Sequence, residues 1–231
     1  MNAWDIFIRQ FIEKEGYTLV LQGLGTTLII AVAGLAIGLI IGSILAIVKI
    51  IPGKNPFLLV LQRFADVYVA LFRGTPMVVQ LLVVHFVLFP SLGIHILSEI
   101  EGTIAFGLNS AAYVCEIMRG GILSIDKGQT EAGRSLGLSY STTMIKIVIP
   151  QAIKNVIPTM GNEFISLVKE TSVLSFIAVV DVTKAFQTMA NSSYEYVVPY
   201  LMLAVVYLVI VLIATFVIRI LERRLRASDK R

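Results

Sequence analysis

The chain has 231 residues, of which 57% are hydrophobic and 15% charged, with 19 Lys+Arg against 15 Asp+Glu for a formal net charge of +4. A soluble domain carries roughly 25% charged residues, and a chain this apolar would leave too much hydrophobic surface in water. The composition excludes a soluble protein and gives an integral membrane protein of one domain, too short to add a nucleotide-hydrolysing domain to a helical bundle; the apolar runs below make it all-α. Nothing matches the phosphate loop GxxxxGK[ST], because the only Gly-Lys pair, Gly53-Lys54, lacks the upstream glycine. The single cysteine, Cys115, excludes an intrachain disulfide framework and a cysteine-rich metal site.

Residues 1–16 contain Asp5, Glu13 and Glu15, which break up any signal-peptide core. Trp4, Phe7, Ile8, Phe11 and Ile12 recur at helical spacing, which predicts an amphipathic helix lying on the outer face; a plain extension of the first span is the alternative. A helical crossing needs about 20 mostly apolar residues, because its backbone groups must be satisfied internally. Five runs qualify as crossings or parts of them: 17–48, 75–98, 103–115, 147–168 and 196–218. Spans one to three thus occupy 17–122, a cytoplasmic loop 123–146, spans four and five 147–223, and a basic tail 224–231. The tail's Lys and Arg act as a topology signal rather than a nucleic-acid patch, and place the C-terminus in the cytoplasm and the N-terminus outside. The 90–102 loop, with Glu99 and Glu101 and no Lys or Arg, then falls outside. No internal repeat is evident, which weighs against a single-chain transporter built from inverted halves.

Gly34, Gly38 and Gly42 stripe the first span, as close packing within the chain or against another subunit requires. Charged or polar residues at membrane depth cost about 2.5–3.5 kcal/mol each when charged, and so usually face a cavity or partner. Three clusters stand out. Arg63, Asp66 and Arg73 lead into Gly74-Thr75-Pro76, where Thr75 is suited to cap a helix, Pro76 to begin it and Gly74 to end the preceding one in a left-handed conformation. That segment is either a helix interrupted near 73–76 or an interfacial turn after a surface helix over 57–72. Asn109, Ser110, Glu116 and Arg119 form the second cluster; Glu116 and Arg119, three apart, are spaced for a structural ion pair. In the third, Asn155, Thr159, Asn162, Ser166 and Lys169 share one helical face bordered by Glu163, with bends expected at Pro150 and Pro158. This stripe is the wall of a hydrated passage, or a set of interhelical hydrogen bonds. His85 and His95 read as wet or packed side chains rather than metal ligands.

The 123–146 loop contains Gly128-Gln129-Thr130-Glu131-Ala132-Gly133-Arg134-Ser135-Leu136-Gly137-Leu138, a short exposed helix that Gly137 is suited to stop. The Glu-Ala pair, the glycine five residues after the alanine and the later Ile149-Pro150 resemble the EAA loop of ABC importer permeases. Phe72-Arg73-Gly74-Thr75-Pro76 with Gln80, the run from Ala112 to Ile122, Pro150-Gln151-Ala152, Gly161-Asn162-Glu163-Phe164 and Lys169-Glu170-Thr171-Ser172 resemble, in order, the polar amino acid uptake family of such permeases. The likeness extends over about residues 17–223. Gly133 departs from it, standing where that loop usually has alanine, and predicts a looser helix because Gly costs roughly 1 kcal/mol of helix propensity.

The resemblance implies a MetI-like arrangement of about five transmembrane helices plus a cytoplasmic coupling helix, in the plasma membrane of a prokaryote. It implies a membrane subunit with no catalytic site, metal or cofactor of its own; ATP and Mg belong to a cytoplasmic ATPase present in two copies. The other partners are a second permease chain, identical or paralogous, an extracytoplasmic amino-acid-binding protein and the bilayer. Gly128, Gln129, Glu131, Ala132 and Gly137 are the expected ATPase contacts. An amino acid needs acceptors for its ammonium and donors for its carboxylate, so Asp66, Asn109, Ser110, Asn162, Glu163 and Ser166 are the substrate candidates, with Arg73 and the Thr75 helix start for the carboxylate. Asp66 and Glu163 would favour a cationic side chain, unless Arg63 or Lys169 neutralises them; glutamine or glutamate are the alternatives. A channel or a structural subunit without a substrate site remains the competing class.

Overall fold

The computed structural model describes residues 3–53 and 55–228; the side chains of residue 3 and of 224–228 lie outside that description, and with them the charges of the expected basic tail and of Lys54. Every element named below is helical. A short helix, Ala3–Phe7, widens into a π-helical turn, Ile8–Glu13, before the chain reverses at Glu15 with φ 53°. The long elements are Gly16–Ile50, Pro56–Gly74, Met77–Ser91 with a π-helical turn at Val84–Leu88, Ser98–Leu123, Ile149–Glu170 and Val197–Ser228. Between them lie a nine-residue helix, Lys127–Ser135, a 3-10 segment, Thr171–Ile177, and a helix Val182–Ser193.

Among the described residues, Gly16–Ile50 and Val197–Arg223 are by themselves long and apolar enough to cross a membrane, and Pro56–Gly74 with Met77–Ser91 meets that standard only as a broken pair. The Ser98–Leu123 and Ile149–Glu170 helices have the length, 26 and 22 residues, but carry the charged residues that the sequence marks as costly. The run predicted over 75–98 is helical only from Met77 to Ser91. The run over 103–115 sits inside a helix twice as long, whose first turn accepts Glu99 and Glu101 because carboxylates suit a helix N-terminus.

Two π-helical turns share a cause. Val84–Leu88 and Met144–Val148 each end two residues before a proline, Pro90 and Pro150. Proline has no N–H for the i−4 carbonyl, so the preceding turn widens and the helix continues. Pro158 is likewise held inside an unbroken helix, so no break divides the polar stripe.

The chain divides into two compact units. The first comprises Met1–Ala36, Thr75–Gly107 and Phe164–Ala214, the second Ile37–Gly74, Leu108–Glu163 and Thr215–Arg231. The first has a large apolar core, in which Ile30, Leu81, Phe106, Leu167 and Leu174 are essentially inaccessible. A second cluster there packs Val20, Val182, Phe186 and Met189 against the partly buried Phe11. Ile6 and Gln10 are the buried positions of the N-terminal segment, and Gln10 donates to the Ser193 hydroxyl at 2.6 Å; Trp4, Phe7 and Phe11 stack successively. The inward face thus includes a glutamine that the aromatic stripe did not indicate. The second unit has a smaller core of Ala46, Val69, Ala112 and Cys115.

The glycine stripe is explained within the chain. A Cβ on Gly38 would stand 2.5 Å from the Ser110 hydroxyl, and one on Gly42 would stand 2.6 Å from the Ala111 carbonyl. Gly34 lies against Phe106 in the first unit in the same way. The first long helix can approach the Ser98–Leu123 helix backbone to backbone because these positions lack side chains.

Candidate functional site: an open cavity beside an ion network

The second unit contains an open cavity of about 510 Å³. Its lining comes from Arg73 at the end of Pro56–Gly74, from Tyr113, Glu116, Ile117, Gly120 and Gly121 on the Ser98–Leu123 helix, from Ser124, and from Asn155 and Thr159 on the Ile149–Glu170 helix. Helical spacing presents Tyr113, Ile117 and Gly120–Gly121 to one side. The two glycines keep that wall low.

Beside the cavity runs a chain of charges. Lys49 Nζ lies 3.0 Å from Asp66 and 2.8 Å from Glu116. Glu116 also accepts from Arg119, with Nη2 at 2.7 Å and Nε at 3.2 Å from both carboxylate oxygens. Arg73 Nη1 approaches the same carboxylate at only 3.9 Å, and its guanidinium lies over the Tyr113 ring, 5.5 Å from the centroid. The expected Glu116–Arg119 pair is therefore present, but as one link in a network joining three helices. The lysine that organises it, Lys49, stands at the C-terminal end of the first long helix, where a cation suits the dipole.

Asp66, one of the substrate candidates, has its carboxylate paired with Lys49 at 3.0 Å rather than with Arg63. Pro56–Gly74 lies back beside the end of the preceding helix, where Gln62 donates to the Val48 and Ile51 carbonyls. Asn109 and Ser110 are buried, and neither lines the cavity. Ser110 fills the space left by Gly38 and donates to Glu163 at 3.4 Å. Asn162, directly before Glu163, is exposed, and Ser166 lies in the first unit, half-buried. Within this one chain the seven candidates do not converge; Arg73 alone among them lines the cavity.

The stripe itself is placed outward: Asn155, Thr159, Asn162 and Lys169 are exposed, while Ala152, Val156, Leu167 and Val168 are buried. Asn155 donates to the Ser124 hydroxyl at 2.9 Å, tying the cavity's edge to the loop. Tyr113, Ser124 and Lys49 were not singled out from the sequence. Only Lys49, a cation directly after the uncharged run 17–48, left a signal there; a tyrosine inside an apolar helix does not advertise a cavity.

The 73–76 junction breaks the helix, though by different means from those expected. Pro76, with φ −64° and ψ 141°, is the N-cap of the helix from Met77, so the helix starts one residue later than Thr75 capping would give. Thr75 instead accepts from the Gln80 amide through its carbonyl at 3.0 Å and its hydroxyl at 2.9 Å. Gly74 is not left-handed; Gly93 and Gly137 are the described glycines with positive φ. Proline disfavours the helical conformation at the residue before it, and Pro76 is itself extended, so the break needs no left-handed residue.

The Lys127–Ser135 helix is capped at both ends. The Asp126 carboxylate accepts from the Gly128 amide at 2.6 Å. At the other end Gly137, φ +81°, allows its N–H to reach the Arg134 carbonyl and the Leu138 N–H to reach that of Gly133, the paired bonds of a Schellman motif. Gly128, Gln129, Glu131, Ala132 and Gly137 are all exposed, and Leu136 is 81% exposed. Gly133 is the exception. It is buried, and a Cβ there would stand 2.7 Å from Thr143 Cγ2. The glycine that predicted a looser helix instead lets the helix seat closely on the Tyr140–Val148 segment.

His85 in the first unit pairs with the buried Glu101, as a packed histidine, and His95 is exposed.

A family profile described as "binding-protein-dependent transport system inner membrane component" matches residues 38–227. The arginine transport system permease protein ArtQ of Bacillus subtilis (strain 168) is 41% identical over 91% of this chain and 94% of its own length. A Rickettsia bellii protein designated a glutamine transport system permease, GlnP, is 38% identical over 90% of this chain and 94% of its own. Among solved structures, an amino acid ABC transporter crystallised with histidines has a chain that superposes with a TM-score of 0.84 at 36% identity, covering 93% of this chain and 98% of that one. The inward-facing MetNI methionine ABC transporter superposes with a TM-score of 0.75 at 18% identity, over 90% of this chain and 96% of that one, a likeness of fold alone.

Proposed function

The chain belongs to the family of inner membrane components of binding-protein-dependent transport systems, and from that premise we propose that it is the permease subunit of an ATP-driven importer of polar amino acids. The observation that carries this reading is the pairing of two features in one chain. An open polar-edged cavity supplies room for a solute, and an exposed, doubly capped helix supplies a handle for a motor. The relatives named for arginine and glutamine, and the amino acid transporter crystallised with histidines, support the substrate class.

The proposed cycle is rigid-body transmission. Two copies of a cytoplasmic ATPase, which hold the ATP and Mg, grip the 128–139 region of two permease chains, identical or paralogous. Their closure tilts the helices on either side of that loop and changes which side of the membrane the Asn155–Thr159–Asn162 face meets. Such coupling requires contacts that differ between two states. An extracytoplasmic binding protein delivers the amino acid, the N-terminus lies outside and the C-terminus in the cytoplasm. Glu163, a carboxylate on the Ile149–Glu170 helix that accepts from Ser110 at 3.4 Å, favours a cationic side chain; a neutral substrate such as glutamine is the second reading, supported by the Rickettsia relative.

Reconstitution with the ATPase subunit in vesicles tests both levels. Uptake against a gradient is expected only with ATP and the partner present, and uphill transport by this chain alone would refute the reading. In the same vesicles Glu163→Gln should narrow the preference for arginine over glutamine. An unchanged preference would remove Glu163 from the selectivity.

A further inference from the structure

The charges around the cavity do not cancel. Asp66 and Glu116 contribute two negatives and Lys49, Arg119 and Arg73 three positives, leaving one positive charge over. The geometry shows which cation is in surplus. Lys49 contacts Asp66 and Glu116 within 3.0 Å, and Arg119 contacts Glu116 at 2.7 Å, while Arg73 comes no closer than 3.9 Å. Arg73 is also the most exposed of the three cations, at 46%, and it lines the cavity. Tyr113 holds its guanidinium from one face, an arrangement that steadies a planar cation while leaving its edge donors free to point elsewhere.

A guanidinium edge fits a carboxylate bidentately, and the α-carboxylate is the one anionic group that every amino acid has. Asn155, Thr159 and Ser124 add hydroxyl and amide groups along the same wall. The volume of about 510 Å³ lies within the range of small-molecule sites. We propose that this cavity is a station for the α-carboxylate of the transported amino acid, read by Arg73 on its Tyr113 mount. Lys49 is a positioning residue, occupying Glu116 so that Arg73 is not drawn onto it. The station recognises the amino acid's backbone end and is indifferent to its side chain, which is left to Glu163, one helical turn (roughly 6 Å) beyond Thr159. This inference rests on the reading of the chain as an amino acid permease.

The test uses the purified complex of this chain with its ATPase and permease partners, nucleotide-free and without the binding protein. Equilibrium binding is measured for arginine and for agmatine, which has the same side chain and no carboxylate, and for glutamine and its decarboxylated amide. The intact complex should prefer the amino acid over its amine by at least about 10-fold, as a charge-assisted bidentate contact provides. Arg73→Gln should collapse that ratio towards one while amine binding changes little, Arg73→Lys should restore part of it, and Lys49→Met should reduce it without touching the ligand. A purely structural role for Arg73 would weaken amino acid and amine alike, and a ratio preserved in Arg73→Gln, or in Arg73→Lys should the glutamine variant not assemble, overturns the station while leaving the permease reading intact. Failure of the intact complex to bind any of these amino acids overturns both.

Discussion

The two compact units treat polarity in opposite ways. In the first, polar groups are closed off in small sets: Gln10 with Ser193, His85 with Glu101, and Asp181 accepting from the Thr183 and Lys184 amides at 3.0 and 2.8 Å while capping its helix. Large side chains such as Phe106 and Phe186 fill the space between. In the second, the core is small, the charges are linked across three helices, and a cavity and an exposed capped helix remain at the surface. A network shared among helices can be rearranged bond by bond, whereas an isolated buried pair must be broken outright at several kcal/mol. The first unit has the build of a scaffold, and the second has the parts that a moving transporter would use.

Substitutions can break that contrast or sharpen it. The largest effect is expected where the backbones touch. Gly42→Leu drives a side chain into the Ala111 carbonyl and Val114, neither of which can move aside, and should cost 3 kcal/mol or more, beyond the ordinary overpacking penalty of about 1–3 kcal/mol. Loss of folded complex on size-exclusion chromatography would record it, and a normal yield would show that the seam is loose. Next comes Glu116→Gln, which removes the charge shared by Lys49 and Arg119 and should destabilise by about 1.5–3 kcal/mol in a thermal unfolding assay, the worth of hydrogen bonds to a charged group. Adding Lys49→Met should recover part of that loss if the network is shared, and none if each pair stands alone.

Glu131→Lys acts on the exposed helix rather than on stability. Insertion and melting temperature should be unchanged while substrate-stimulated ATP hydrolysis falls about 10-fold or more, the effect of a charge reversed at a docking face; normal hydrolysis would dissociate that residue from the motor. Gly137→Ala forces a Cβ into a left-handed position and should loosen the C-cap by about 1 kcal/mol, with a smaller drop in coupling. The smallest effect is expected in the scaffold unit. Tyr207→Phe removes a hydroxyl 3.0 Å from Thr183 and 3.4 Å from Asp181, worth about 1 kcal/mol in unfolding and nothing in ATP coupling.

Much of this was legible from the sequence because it follows from the chemistry of single segments. The apolar runs, the helix break before Met77, the Glu116–Arg119 spacing, the exposed 128–137 loop and its Gly137 stop are local, and local periodicity and turn chemistry report them. The partners of charged groups are not local. Asp66 had Arg63 within one helical turn, but it is Lys49, 17 residues upstream on another helix, that reaches it. Gly133 read as a defect of helix propensity because propensity considers one helix at a time, and its reason is a neighbour, Thr143.

The first and last long helices mark the boundary most plainly. Their mean hydropathies are nearly equal, 2.8 and 3.1, and the sequence by itself makes both long and apolar enough to span a membrane. Yet a third of the apolar window of the first is buried inside the chain and none of the last. Hydropathy measures how poorly a helix suits water, and lipid and protein satisfy that demand alike. Which of the two a helix meets is decided by shape: glycines at 34, 38 and 42 open one face of the first helix to its neighbour, while the last, from Val197 to Ser228, carries none. The same holds for Arg73. That it is a cation near the membrane could be read directly, but its surplus over Glu116 depended on where Lys49 and Arg119 came to rest.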